Sequence, residues 1–225
     1  VARRRKIDLH RPYAELPEAV RHTHRAVVTL MIAALYGVGL RPGDRYFCPS
    51  SPAWGHGLAH GTISPLALGI HTASYSGKFD AERIFEALQD FTVTNVAAAP
   101  TVFRMLRNSD LRERYRIDLR KLSYTGEPMD GEAMAWIERS FGVVPCSMYG
   151  TTEVGVLIVN SPGLDGYRVK PGSLGKPAPG VDVGIIDGSG HQLPPSETGE
   201  IAVRRKNAWF HVKDRGSRDD EGYFY

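Results

Sequence analysis

Between residues 45 and 147, short apolar runs alternate with segments of helical period, the signature of repeated βαβ units. Such a chain closes a mostly parallel sheet and lays helices on its faces. Five strands are predicted, at 45–49, 70–75, 92–98, 122–124 and 143–147, each followed by a turn signal. Asp80 is predicted to cap a helix in which Ile84, Leu88 and Phe91 recur at spacings of four and three. Met134, Ile137 and Phe141 form the apolar stripe of a later helix ending at Gly142. After about Val154, Gly and Pro punctuate alternating segments at 181–186 and 199–204, which read as antiparallel hairpins. The expected fold class is therefore α/β, a mostly parallel sheet of βαβ units followed by a small antiparallel β subdomain. The expected division is a basic, disordered arm at 1–18, an α/β unit at 19–160 and a β unit at 161–225.

Other classes are excluded by composition. Of the 225 residues, 42% are hydrophobic and 24% charged, close to the globular average, which argues against a fibrous, coiled-coil or disordered protein. The longest weakly polar stretch, 26–40, is interrupted by Thr29 and falls short of the roughly 18 residues of a membrane span. No secretory signal precedes it, so a cytoplasmic protein is expected. Cys48 and Cys146 are far apart and fit neither a disulfide framework nor a zinc motif, and are predicted to be buried strand residues. Seven basic residues among the first 25, Arg3 to Lys6, Arg11, Arg21 and Arg25, face three acidic ones, a net +4 that leaves the remainder near −1. No aromatics interleave them and no reading motif is present, so nucleic acid is not an expected partner.

Open α/β sheets bind ligands at the carboxyl ends of their strands. The loops there are Thr125-Gly126-Glu127-Pro128, after the fourth strand, and Tyr149-Gly150-Thr151-Thr152-Glu153, after the fifth. The second offers a ring face for a base, a glycine for close backbone approach, two hydroxyls for phosphate and a hard oxygen ligand for Mg²⁺. That set reads as a nucleotide site; the same five residues also suit an ordinary polar turn with Glu153 as a solvated charge. His56 and His60 have the i, i+4 spacing of a helical zinc pair, yet Gly55, Gly57 and Gly61 argue against a helix and no metal is expected on these two histidines. Asp44, Asp80 and Asp118 read as turn or cap residues.

Four segments in order resemble the AMP-forming, adenylate-forming superfamily, in particular the acetate, medium-chain and benzoate acyl-CoA synthetases. They are Tyr124-Thr125-Gly126-Glu127-Pro128-Met129, Met148-Tyr149-Gly150-Thr151-Thr152-Glu153, Gly172-Ser173-Leu174-Gly175-Lys176-Pro177-Ala178-Pro179-Gly180, and Asp214 placed eight residues before Gly222-Tyr223-Phe224-Tyr225. The resemblance covers residues 19–225 and implies part of the family's large domain. It implies that Gly126, Glu127 and Pro128 line the adenine edge, that Tyr149 stacks on the ring beside Gly150 and Thr151, and that Asp214 accepts both ribose hydroxyls. Thr152 would bond the α-phosphate and Glu153 would hold Mg²⁺. Trp54, Gly55 and His56 fall where these ligases place acyl-pocket residues. The implied reactants are ATP, yielding AMP, and a small carboxylic acid, with coenzyme A as co-substrate.

The sequence also departs from the family. Where a Ser/Thr/Gly-rich phosphate loop ends in lysine, residues 11–19 lack glycine and the Ser/Thr hydroxyl run and place Glu18 at the lysine position. Val212-Lys213 stands before Asp214 where the family has Thr-Gly. The sequence given ends at Tyr225, ahead of the family's hinge and small catalytic domain, and the isolated chain is expected to be inactive, with missing parts supplied by another polypeptide. Three readings stay open: a piece of an acyl-CoA synthetase, a nucleotide-binding remnant, and a basic-armed binding protein that reuses the fold.

Overall fold

A computed structural model describes residues 24–151 and 153–225; the predicted arm at 1–18, Glu18 and Thr152 lie outside the described residues. The strands β1 (Arg45–Cys48), β2 (His71–Ser74), β3 (Asn95–Ala98), β4 (Lys121–Tyr124) and β5 (Cys146–Thr151) occupy the five predicted places. They run parallel in the order β2-β1-β3-β4-β5, and β6 (Gly155–Val159) and β7 (Lys176–Pro177) extend the same sheet antiparallel. A separate three-stranded antiparallel sheet holds β8 (Val183–Ile186), β9 (Gly199–Arg205) and β10 (Ala208–Gly216) in the order β10-β9-β8.

Strand alternation decides which side chains serve which face of the large sheet. Phe47, Val96, Ala98, Leu122 and Tyr124 point to one side, where α4 (Ala81–Asp90), α5 (Pro100–Arg107) and α6 (Gly131–Phe141) supply Ile84, Phe85, Leu88, Phe103, Leu106 and Ile137. Tyr46, Cys48, Ala97 and Met148 point to the other side, toward Ala34 and Val38 of a π-helical turn (Ala34–Val38) that continues α1 (His24–Ala33). The two cysteines are buried and free, as expected of small strand residues. Asp80 accepts from the Arg83 N–H at 3.1 Å, and Asp130 caps α6 through the Ala133 N–H at 2.8 Å. Gly142 ends α6 at φ 69°.

Two expectations are corrected and one is extended. Phe91, assigned to the apolar stripe of α4, sits at the C-cap and is 61% exposed, because the helix stops one residue short of it. Residues 55–67 form a continuous helical run, α2 (Gly55–Leu58), a π-helical turn (Ala59–Ile63) and α3 (Ser64–Ala67), in spite of Gly55, Gly57 and Gly61. Close packing explains two of those glycines: a Cβ on Gly57 would lie 2.2 Å from the Ser51 carbonyl oxygen, and one on Gly61 3.0 Å from Cys48 Sγ. Asp44 is the turn residue expected, its N–H donating to the Arg41 carbonyl at 3.1 Å, and beyond that it accepts from Lys121 Nζ at 2.6 Å, with both side chains only 10% exposed. It also accepts from Asn95 Nδ2 at 3.2 Å and the Arg41 N–H at 2.9 Å, so one carboxylate ties β1, β3 and β4 together. Among the described residues no helix is long and apolar enough to cross a membrane.

Candidate functional site

Because β4 pairs with β5 in the register Ser123↔Cys146 and Tyr124↔Ser147, the two loops singled out in the sequence leave the sheet side by side. Thr125 Oγ1 donates to the Met148 carbonyl at 2.6 Å and fastens one to the other. Gly126 turns the first loop at φ +97°, a conformation glycine adopts without steric penalty. Glu127 then points away from the second loop. Its carboxylate accepts from the Thr101 hydroxyl, from the Thr101 N–H at 2.8 Å and from Arg104 at 2.9 Å, at the start of α5. Those partners, the Thr101 hydroxyl foremost, hold its pKa below the usual carboxylate range.

The second loop is shaped by β6. Strand register shifts between Tyr149 and Gly150, and a Cβ on Gly150 would lie 2.1 Å from the Gly155 carbonyl oxygen, so that position excludes side chains. Tyr149 is half-buried against the cluster that joins β6 to the smaller sheet, around Leu157, Ile158 and Ile201. Its hydroxyl donates to Asp214 Oδ2 at 2.6 Å, across 65 residues of sequence. Burial, and then the hydrogen bond to the Asp214 carboxylate, raise the Tyr149 phenol well above its ordinary value. Asp214 stands at an irregularity of β10, where the pairing with β9 shifts between His211 and Arg215. Lys213, just before it, has φ +73°, the left-handed region that favours glycine. Glu153 is exposed; the Thr151 side chain, and more weakly the charge of Lys213, keep its carboxyl below the usual range. Arg205 Nη2 on β9 donates to the Glu153 carbonyl at 3.3 Å.

The third predicted segment lies further along the same edge. Strand order reverses between β1 and β3, the point at which open α/β sheets form a crevice. Trp54, 75% exposed, and the exposed Gly55 follow β1 there, and His56 lies against the Ala97 backbone of β3. His56 and His60 are neighbours, ring centroids 5.6 Å apart. Both ring nitrogens of His56 and Nδ1 of His60 are buried without a hydrogen bond. Desolvation pushes the two imidazoles down to about 4 and about 3, the second aided by the charge of the first. Among the described residues no group of three or more His, Cys, Asp or Glu is placed to hold a metal.

The fold thus gathers Gly126, Pro128, Tyr149, Gly150, Thr151, Glu153 and Asp214 at adjoining strand ends, with Trp54, Gly55 and His56 two strands away. The Glu127 side chain is engaged by α5. Two surface grooves lie elsewhere, one along Arg107, Glu132 and Arg139, the other at the opposite strand ends by Arg45, Thr94 and Arg120. Sequence reasoning passed over Thr101 and Arg104 as partners of Glu127, and Arg205 and Lys213 as neighbours of Glu153. Only Lys213 carried a signal, its departure from the glycine of the resembled pattern.

The family model described as AMP-binding enzyme matches residues 16–209. The acetyl-coenzyme A synthetase of Bacillus subtilis (strain 168) is 29% identical over 234 residues, covering 93% of this chain and 40% of the relative. The mitochondrial acyl-coenzyme A synthetase ACSM3 of Mus musculus shows the same identity and coverage. Among solved structures, an acyl-CoA synthetase of Brucella canis superposes with a TM-score of 0.83 at 28% identity, over 89% of this chain and 41% of that one. The chain therefore spans about 40% of the length of the curated relatives it matches.

Proposed function

The chain belongs to the AMP-binding enzyme family, and we propose that it supplies the adenylate-binding part of an AMP-forming acyl-CoA synthetase. The observation that carries this reading is the Tyr149–Asp214 pair, an aromatic ring and a carboxylate from two different sheets joined by a 2.6 Å hydrogen bond from the phenol hydroxyl. A nucleoside has the complementary shape. Its base stacks on the Tyr149 ring while the ribose hydroxyls donate to Asp214, whose two oxygens are acceptors. With the Glu127 carboxylate engaged by Thr101 and Arg104, the loop 126–128 meets the adenine edge through its backbone. Gly150 admits the nucleotide close to the β5 backbone, and the α-phosphate contact is assigned to Thr152 from its place in the sequence motif.

The ionised Glu153 fits Mg²⁺, which binds through one or two carboxylates plus substrate phosphates rather than an all-protein cage. When bound, the ion offsets phosphate charge. A carboxylic acid lying in the crevice by Trp54, Gly55 and His56 attacks the α-phosphorus, expelling pyrophosphate, and the thiol of coenzyme A then displaces AMP from the acyl group. Trp54 limits the depth of that crevice. The remaining parts of such an enzyme come from polypeptide beyond this span. A second reading, a nucleotide-binding remnant without catalysis, is favoured by Glu18, an anion where the resembled phosphate loop has a cation.

Calorimetry with AMP tests the site. Stacking of a base on an aromatic contributes about 1–3 kcal/mol, so Tyr149→Ala weakens AMP roughly 5- to 150-fold. Equal affinity in the wild type and the variant refutes the nucleotide reading, as does equal binding of AMP and its 2′,3′-dideoxy analogue for Asp214. Pyrophosphate release with ATP, Mg²⁺ and a panel of short, medium and aromatic acids separates the synthetase from the remnant. Turnover near about 1 per second by this chain would count against the expectation that it is inactive alone.

A further inference from the structure

We propose that Lys213 and Arg205 form a phosphate-binding pair for the nucleotide, supplying from the β9–β10 hairpin the positive charge that Glu18 does not. This inference rests on the nucleotide reading above. Glu153 and Asp214 place two carboxylates at the site, and uncompensated they repel a phosphate chain as strongly as they attract a cation. Mg²⁺ held by Glu153 would offset part of that charge, and cationic side chains beside the two carboxylates offset more.

Arg205 is fixed beside the loop. Its guanidinium lies over the Phe210 ring, 5.1 Å from the centroid, and Nη2 donates to the Glu153 carbonyl at 3.3 Å. Lys213 adjoins Asp214, and its N–H donates to Glu200 Oε1 at 2.9 Å, which holds the left-handed turn in place. A lysine here keeps the backbone geometry that glycine adopts freely and adds an ammonium next to the ribose-binding carboxylate. Its charge already reaches Glu153. Two other cations of the hairpin are committed, Arg204 to Asp182 at 2.9 Å and to the Trp209 ring, and His211 to Glu200 at 3.0 Å. Arg215 donates to the Thr198 carbonyl at 3.5 Å, and Lys206 sits in the turn between the strands. Among the described residues, no ion pair within 4 Å joins Arg205 or Lys213 to a carboxylate; Arg205 touches the Glu153 carbonyl, and Lys213 adjoins Asp214 at the bulge of β10. An Arg and a Lys so placed suit an anion with several oxygens, the first through its planar fork and the second as a mobile point charge.

The test compares adenosine, AMP and ATP by calorimetry at fixed Mg²⁺ and ionic strength, for wild type, Lys213→Gln and Arg205→Gln. Both side chains are exposed, so neither substitution threatens the fold. Adenosine reports the base and ribose contacts, and the gain from adenosine to ATP reports the phosphate contacts. Each substitution is expected to lower that gain about two- to fivefold, the range of a solvent-exposed charge contact, and to leave adenosine unchanged. Adenosine binding with an unchanged ATP-to-adenosine ratio in both variants overturns the cation pair and leaves the nucleotide reading intact. Failure of the wild type to bind adenosine removes both.

Discussion

Lowering the pH from 7 to 5 is expected to destabilise this protein through His56 and His60, alone among the described buried groups. Both rings are neutral in the folded state, with values pushed from 6.5 down to about 4 and about 3 by burial. The sign follows from proton counting: between pH 6.5 and 4 the unfolded chain binds protons that the folded chain does not, so stability falls as pH falls. At pH 5 an unfolded histidine gains about 2 kcal/mol from protonation, against about 0.2 at pH 7, while the folded ones gain almost nothing. Together the two lose about 3.5 kcal/mol of stability over this window. For a chain of this size that lowers the unfolding midpoint by about 7–14 °C. Glu127, Glu200 and Asp219 are held below the usual carboxylate range, so their contribution is intact above about 4.5 and is lost only as pH falls beneath it. Calorimetric or circular-dichroism melts at pH 7, 6 and 5 read the effect. His56→Leu with His60→Leu removes the titrating rings and their unpartnered nitrogens while retaining every other histidine. A double variant that keeps the wild-type slope between pH 7 and 5 would sink the reasoning, as would a wild type with no slope.

Three further outcomes are expected. Asp44→Ala leaves the Lys121 ammonium buried and unpaired and costs about 3–5 kcal/mol in chemical denaturation, much of it recovered when Lys121→Met is added; a loss under about 1 kcal/mol in the single variant contradicts the buried pair. Lys213→Gly relieves the left-handed backbone at φ +73° and raises stability by about 1 kcal/mol, while removing the ammonium assigned to phosphate; a lower unfolding midpoint argues against that strain. Gly175→Ala places a Cβ 2.1 Å from the Val159 carbonyl oxygen at φ +106°, and a loss of about 2–4 kcal/mol is expected by equilibrium unfolding; an unaffected protein would show the turn to be more yielding than this packing implies.

The strands β1 to β5 were legible because a buried parallel strand needs a short apolar run and a turn after it, and both are local properties of the chain. The cap read at Asp80 is equally local, since it bonds an N–H three residues away, and Asp130, which the sequence reading passed over, does the same. The two loops of the candidate site could be picked out for the same reason, from residue types within five positions. Their meeting was decided elsewhere: β4 and β5 had to be neighbours, and β10 had to bring Asp214 to Tyr149 from another sheet. The helical run over residues 55–67 was hidden by its glycines, which local propensity reads as helix breakers. Packing against Ser51 and Cys48 requires small residues at two of those places, and tertiary contact outweighs about 1 kcal/mol of propensity per glycine. The same holds for Asp44, a turn residue by its neighbours but an ion-pair partner by virtue of Lys121, 77 residues away. Sequence determined which elements form, because hydrogen bonds and side-chain periodicity act over a few residues. Only the tertiary structure decided which charges face one another, because a carboxylate's partner is set by strand order and burial rather than by distance along the chain.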